Sequence, residues 1–379
     1  SDHPTHEVPV TPSNHTFDIA VLPGDGIGLE VMASCLEVLR AAETVTGGPR
    51  LHLQSHSAGA QYYLESGDAL PAATVGACRK ADAILFGSMG WPDVRFPDGT
   101  EIIPQLDLRM EFDLYAGVRP IRWFPGLPKI LADERARDID FVLVREQTEG
   151  LFYARGRGKV VGDDEVYDTM QITRKGTARA SEFSFRLAER RRARRGKANV
   201  TCVDKANVFT SMAFFRKVFD EVAAKHPEIS ADHAYVDAMA LHMVKKPWTL
   251  DVMVTENMFG DILSDLAAGL VGGMGMAPSA DVGDEHALFQ PAHGTAPDIA
   301  GQGKANPSAM ILSAAMMLDW LADRHDEPRL EVRARLIERA VEATLGAGVI
   351  PMEFGGTAGC DEMTRATISA LPGAIGKVA

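Results

Sequence analysis

Residues 17–22 (FDIAVL) form a short apolar run, broken by Pro23-Gly24-Asp25-Gly26-Ile27-Gly28 and followed by residues 30–43, where Val31, Leu36, Val38 and Leu39 recur at helical spacing. Strand, glycine loop and helix are the elements this predicts. The pattern repeats with an extended stretch at 51–57, helices near 58–66 and 72–80, and a buried strand at 83–86 ending in Gly87-Ser88-Met89-Gly90-Trp91-Pro92. Further strands are expected at 141–144, 199–203 and 234–236, and a Met-rich core helix at 307–324. Strands alternating with helices predict a parallel α/β sheet, whose ligands bind beyond the carboxyl ends of the strands, so the loop at Gly87 is a candidate site wall. Gly156, Gly158 and Gly162 precede an alternating run at 166–172, which reads as a hairpin extension. An exposed hairpin edge needs cover, and a second subunit provides it.

At 379 residues the chain exceeds one ordinary core, so two domains are expected. A hydrophobic content of 46% and a charged content of 24% are those of a soluble globular protein, and the net charge of −13 argues against a nucleic-acid surface. No run is long enough to span a membrane, and residues 1–16 read as a loose leader without a signal peptide. Cys35, Cys78, Cys202 and Cys360 are scattered, as in a protein of a reducing, cytoplasmic compartment.

The stretch at 255–280 carries the most chemistry. Asp261 and Asp265 stand at i and i+4 on one helix face, about 5–6 Å apart at Cβ, while Ile262, Leu263, Leu266 and Leu270 mark a buried stripe. Such a pair suits a hard divalent cation; taken alone, an N-cap and a solvated acid is the plainer reading. Arg109, Arg119 and Arg145 lie near element ends and either converge on carboxylates or stand independently at the surface. Lys205, just past a strand, is a candidate base or a surface lysine beside Asp204. The glycine loop at 23–28 can hold an anion or be a tight turn, and it lacks the sixth-position glycine of the GxGxxG fingerprint. The basic run at 190–195 is expected as a solvated helix end facing the negative end of the dipole rather than a targeting signal.

PGDGIG at 23–28, LR at 108–109, VRP at 118–120, REQTEG at 145–150, DKANV at 204–208, NMFGDILSD at 257–265 and HGTAPDIAG at 293–301, in this order, resemble the isocitrate/isopropylmalate dehydrogenase family of metal-dependent β-decarboxylating dehydrogenases. The resemblance implies an α/β subunit with a discontinuous cofactor-binding domain (1–114 and 272–379), a second domain (115–271) with a dimer-forming arm, and a parallel or mixed central sheet. It implies a homodimer with active sites shared between subunits. Mg2+ or Mn2+ would be held by Asp261 and Asp265 of one subunit and Asp237 of the other. Lys205 would be the base, and Arg109, Arg119 and Arg145 would bind the carboxylates of a malate-type substrate, with Gln105 and Leu106 beside its C3 substituent. The loop His293, Gly294, Thr295, Ala296, Pro297 and Asp298, with Asn306 and Asn207, would bind the cofactor. Asp298 favours NAD, because a carboxylate there repels a 2′-phosphate.

The chain departs from the family at Phe152, where the resemblance calls for the tyrosine that protonates the enolate. Tyr153, one residue on, is the candidate to replace it, with water as the other donor. Ile103 and Gln105 stand where isocitrate-specific members carry Ser and Asn, which makes isocitrate an unfavourable substrate. Gly90-Trp91-Pro92, Glu149 and 111–113 resemble the tartrate/D-malate branch, whereas HGTAPDIAGQGKANP and GGTAGC resemble the isopropylmalate branch. Two alternatives are a non-catalytic or regulatory subunit of the family, suggested by Phe152, and a non-redox lyase, which the HGTAPD loop opposes.

Overall fold

The computed structural model describes residues 15–196 and 198–375. The leader expected at 1–16 lies outside them up to residue 14, and Thr16 already opens the first strand. In chain order the first half of the fold comprises β1 (Thr16–Gly24), α1 (Ile27–Thr46), β2 (Arg50–Ser55), α2 (Ala60–Ser66), α3 (Ala72–Lys80), β3 (Ala83–Ser88) and α4 (Pro104–Glu111). The middle of the chain supplies β4 (Ala116–Arg122), β5 (Asp140–Glu146), the short hairpin β6 (Lys159–Val161) and β7 (Glu165–Tyr167), α5 (Arg174–Arg195), β8 (Asn199–Asp204), α6 (Thr210–Ala223), β9 (Ser230–Tyr235), α7 (Val236–Lys245), β10 (Val252–Thr255) and α8 (Asn257–Leu270). The chain then returns with β11 (Pro278–Val282), β12 (Ala287–Pro291), α9 (Ser308–His325), α10 (Pro328–Gly346) and α11 (Cys360–Ala374).

Ten strands form one sheet in the order β2-β1-β3-β12-β11-β4-β5-β10-β8-β9. Strands β3 and β10 are buried at every position, which is why their sequences are nearly unbroken apolar runs covered by helices on both faces. The sheet is mixed. β2, β1, β3 and β12 are mutually parallel, as are β5, β10, β8 and β9, but β11 and β4 between them pair antiparallel to each other and to their outer neighbours. The two parallel halves therefore run in opposite directions. Strands from residues 16–88 and 278–291 make one half, and those from 116–255 the other.

α9 is buried along most of its length, with Met310 and Met317 inside the core as their periodicity predicts. The stripe expected on α8 is corrected at Ile262, which is 55% exposed, while Leu263 and Leu270 are buried. With Leu241 and Val244 of α7, Ile262 leaves apolar side chains in solvent on two helices that pack together. The hairpin is also exposed, at Val160, Val161, Val166 and Tyr167, and is shorter than the alternation at 166–172 predicts. The basic run at the end of α5 is a solvated helix end as expected, with Arg190, Arg192, Arg194 and Arg195 exposed and only Arg191 half-buried, and it also makes ion pairs. Arg191 bridges Asp140 and Asp251, and Arg190 and Arg194 reach Asp323 and Glu331, tying the helix end to strand starts and to neighbouring helices.

Candidate active site

The register at the joint between the halves decides what meets there. Gly117 pairs with Arg145 on one side and Asp281 on the other, Ala280 pairs with Val118, and Ser279 pairs with Gln290. Paired residues share a face, so Arg119, Ile121, Arg145, Ser279, Asp281 and Gln290 all project to the same side of β4, β5, β11 and β12. Gly117 stands in their midst because a Cβ there would come within 2.5 Å of Gln147 Oε1.

Above this face lies a cavity of about 320 Å³, walled by Ile103, Gln105, Leu106 and Arg109 at the start of α4, by Phe152, by Asp261 and Asp265 of α8, and by His293 and Gly294 after β12. This volume is in the range of small-ligand sites. All three expected arginines and both α8 acids reach it. The cavity sits over the antiparallel joint rather than beyond the carboxyl ends of parallel strands. The Gly87 loop is not among its walls. That loop packs on the first glycine loop, with a Cβ at Gly87 falling 2.1 Å from Pro23 O.

Each arginine is held. Arg145 donates through Nε to Asn257 Oδ1 and through Nη1 to Asp261 Oδ1, both at 2.8 Å. Gly260 lets α8 approach this closely, as a Cβ there would lie 2.7 Å from the Arg145 side chain. Arg119 donates to Ser279 Oγ at 2.5 Å and pairs with Asp281 at 3.5 Å, while Arg109 pairs with Asp281 at 3.2 Å. Burial lowers the proton affinity of Arg119 and brings Arg145 down to about 10, which still leaves Arg145 charged at neutral pH. Nε of Arg109 and Oε1 of Gln105 are buried without a partner. The carboxyl of Asp265 is pushed up by burial and by Asp261 beside it. Two carboxylates in that arrangement are a fitting donor pair for a hard divalent ion, which would relieve their mutual repulsion.

Lys205 and Asp237 stand elsewhere in the subunit. They pair at 2.7 Å beyond β8 and β9, and the hydrogen bond from Lys205 holds the Asp237 carboxyl below its usual range. Among the described residues no three His, Cys, Asp or Glu side chains gather at metal-binding distance. The exposed loop after Lys205 carries Asn207 and the apolar Val208 and Phe209, at 59% and 52% exposure.

Tyr153 is not a cavity wall. Phe152 faces the cavity, with the Arg145 guanidinium 5.1 Å from its ring, and Tyr153 stacks against Arg157 at 4.0 Å. A 3-10 turn at Leu151–Ala154 sends adjacent side chains in different directions, so the displaced tyrosine does not reach where Phe152 points.

Of the expected cofactor residues, His293 and Gly294 border the cavity. His293 Nε2 is buried without a partner, and burial lowers its pKa. Thr295 O accepts the Ile27 N–H at 2.9 Å, and Gly26, at φ +58, leaves no room for a Cβ, which would meet Thr295 O at 2.3 Å. The glycine loop is thus a tight turn that braces the HGTAPD loop, with the amides of Asp25, Ile27 and Gly28 bonded within the protein. Asp25 in that turn accepts the N–H groups of Ala60, Gln61 and Gly90. Ala296 has φ +40, Pro297 is half-buried, and Asp298 is exposed with its carboxylate free of protein ion pairs among the described residues. Asn306 is buried, donating to Glu353 at 2.7 Å and accepting the Ser308 N–H. Two residues escaped the sequence reading: Asp281, and Gln290, whose amide donates to it at 3.1 Å. An acid inside an otherwise apolar strand was the available signal, because such a group requires a buried cation partner.

The isocitrate/isopropylmalate dehydrogenase family profile matches residues 18–367, and the chain belongs to that family. It is a decarboxylating dehydrogenase enzyme. A 3-isopropylmalate/3-methylmalate dehydrogenase of Methanocaldococcus jannaschii is 40% identical over 348 residues, covering 92% of this chain and 96% of that one. A 3-isopropylmalate dehydrogenase of Thermotoga maritima is 42% identical over 336 residues, covering 87% and 91%. Among solved structures, an isocitrate dehydrogenase from Methylococcus capsulatus superposes with a TM-score of 0.80 at 35% identity, covering 94% of this chain and 99% of its own. A β-decarboxylating dehydrogenase from Thermococcus kodakarensis superposes at 0.78 and 36%, covering 94% and 96%.

Proposed function

We propose that the chain is an NAD-dependent, Mg2+- or Mn2+-assisted dehydrogenase that oxidises and decarboxylates an (R)-malate-type 2-hydroxy acid in the cytoplasm. The observation that carries this reading is the meeting of Arg109, Arg119 and Arg145 with Asp261 and Asp265 around one small cavity. The arginines bind and orient the two substrate carboxylates through forked hydrogen bonds. Asp261 and Asp265, with Asp237 of a second copy, would hold the metal ion, which when bound would supply Lewis-acid polarisation of the substrate oxygens. Lys205, oriented by Asp237, is placed to accept the 2-hydroxyl proton, and bound NAD would take up the hydride. Phe152 at the cavity and Tyr153 against Arg157 support protonation of the enolate by water rather than by tyrosine.

A homodimer is the assembly that this reading requires. Lys205 and Asp237 lie apart from the cavity, and the exposed apolar groups on α7, α8, the hairpin and the loop at Val208 are the surfaces a second copy would cover. The exposed Asp298, beside the cofactor loop, supports NAD over NADP.

For the C3 substituent, Ile103 and Leu106 favour a small apolar group, in keeping with the 3-isopropylmalate and 3-methylmalate in the names of relatives. The unpartnered Oε1 of Gln105 favours the second reading, a 3-hydroxyl as in tartrate, or D-malate with water in that place. Assaying NADH formation with 3-isopropylmalate, 3-methylmalate, D-malate, tartrate and isocitrate, with and without Mn2+, tests both. Metal-dependent turnover of a malate is expected, and no turnover of any malate, or a preference for isocitrate, would overturn the proposal.

A further inference from the structure

Asp281 lies behind the cavity wall, paired with two of the cavity's arginines, and the proposed chemistry does not use it. Its side chain is completely buried in β11, with Oδ2 against Arg109 and Oδ1 against Arg119, and Gln290 donates to Oδ2 from the adjacent strand. Burial pushes its carboxyl up, but Arg109, Arg119 and a hydrogen bond from Gln147 offset that and hold it below the usual carboxylate range. It cannot itself touch a ligand, because the two guanidinium groups and the Gln290 amide lie around it. What it changes is how much positive charge those arginines can offer.

The charge count follows from the residues. Arg109, Arg119 and Arg145 bring three positive charges, while Asp261, Asp265 and Asp281 bring three negative ones. Asp261 draws on Arg145, and Asp281 draws on both of the others. Without Asp281 the guanidinium pair would hold a surplus suited to an additional carboxylate. We propose that Asp281 is a specificity-determining residue that sets the anionic capacity of the cavity, occupying one carboxylate's worth of Arg109 and Arg119 so that dianionic 2-hydroxy acids bind and tricarboxylates do not. This rests on the reading of the cavity as a carboxylate-substrate site and adds a reason for selectivity that is separate from the shape of the C3 wall at Ile103 and Gln105.

The predicted direction is opposite for two substitutions. Asp281→Asn removes the charge at nearly constant volume, and Gln290→Glu adds a carboxylate at the cavity edge. Binding of malate and of tricarballylate, a tricarboxylate that is a poor chelator and carries no oxidisable hydroxyl, is measured by calorimetry at pH 8 on the full-length protein without metal or NAD. The wild type is expected to prefer malate. Asp281→Asn should shift the affinity ratio towards tricarballylate by about tenfold or more, and Gln290→Glu should shift it the other way, as expected when one like charge is removed from or added to the site. Far-ultraviolet circular dichroism checks that each variant is folded. If Asp281→Asn does not fold, Gln290→Glu carries the test, and an unchanged ratio in a folded variant overturns the proposal. A shifted ratio in a protein that oxidises no malate would sink the proposed function while sparing the role of Asp281. Absence of binding by either anion would overturn the carboxylate-site reading and this proposal with it.

Discussion

Glu146, the last residue of β5 and the neighbour of Arg145, offers a test of burial energetics beside the cavity. Its carboxylate is 1% exposed, with Oε1 accepting the N–H of Thr148 at 2.9 Å and its hydroxyl, and Oε2 accepting the N–H of Glu149 at 3.0 Å. Burial pushes the carboxyl up, the Thr148 hydrogen bonds pull it down, and the result is a rise from the ordinary 4.5 to about 7. Below the lower value the group is protonated in both folded and unfolded chains and contributes no pH dependence. Between the two values the folded protein keeps a proton that the unfolded chain has released, so stability falls as pH rises. Above about 7 both states are ionised and the whole penalty is present. Each tenfold in proton affinity is about 1.4 kcal/mol, so the full penalty is about 3 kcal/mol. Glu146→Gln keeps one carbonyl acceptor and cannot ionise. Its stability relative to wild type should therefore climb by about 3 kcal/mol between pH 4.5 and pH 8, whatever the constant offset from the lost acceptor. Urea unfolding of both proteins at matched concentration across that range reads the difference directly, with all other titrating groups cancelling. A flat difference curve, or one that falls with pH, would show that Glu146 is charged throughout in the folded protein and that its hydrogen bonds, not its burial, dominate.

Asp261→Asn should abolish Mn2+-supported turnover and weaken Mn2+ binding by calorimetry while leaving the secondary structure intact, and full activity at limiting Mn2+ would count against the ligand assignment. NAD should be preferred to NADP by at least about tenfold, or roughly 1.4 kcal/mol, with Asp298→Lys narrowing the gap in kcat/KM. Tyr153→Phe should leave the timing of ketone release unchanged in single-turnover experiments, whereas Phe152→Tyr should hasten it relative to NADH formation, by up to about 10²-fold if the new hydroxyl acts as an acid. A slowed release in Tyr153→Phe would restore that residue as the donor. Ile262→Asp, which places charge on an exposed apolar face, should shift sedimentation from dimer to monomer and lower activity together, and a dimer of unchanged mass would refute the assignment of that surface.

Much of this molecule was legible because its signals are local. The order of strands and helices from 16 to 88 follows from apolar runs and helical spacing, and β1, α1, β3 and α9 form close to where their patterns place them. Other features depend on pairings that no window of sequence contains. Whether β4 runs with or against β5 is set by what crosses between them, and the antiparallel joint moved the cavity from strand ends to a sheet face. Ile262 fits the apolar count of its helix but lies outside the buried arc, since hydrophobicity marks a face to be covered without saying by what. Tyr153 lies off the cavity for a simpler reason: one residue of displacement in a tight turn redirects a side chain entirely. Asp281 was missed because its partners, Arg109 and Arg119, lie 172 and 162 residues away.

That separation bears on how the molecule comes into being. The seam between β4 and β11 joins Gly117 to Asp281, so the sheet cannot close until the chain has left its first half, built the second and returned. Contacts of such long sequence separation carry a large loop-closure cost and form late. During synthesis, β4 emerges with one edge unpaired and stays so until β11 arrives, an interval in which strand edges are open to wrong partners. The guanidinium groups of Arg109 and Arg119 likewise wait for Asp281, so the cavity acquires its charge balance only at the step that completes the fold.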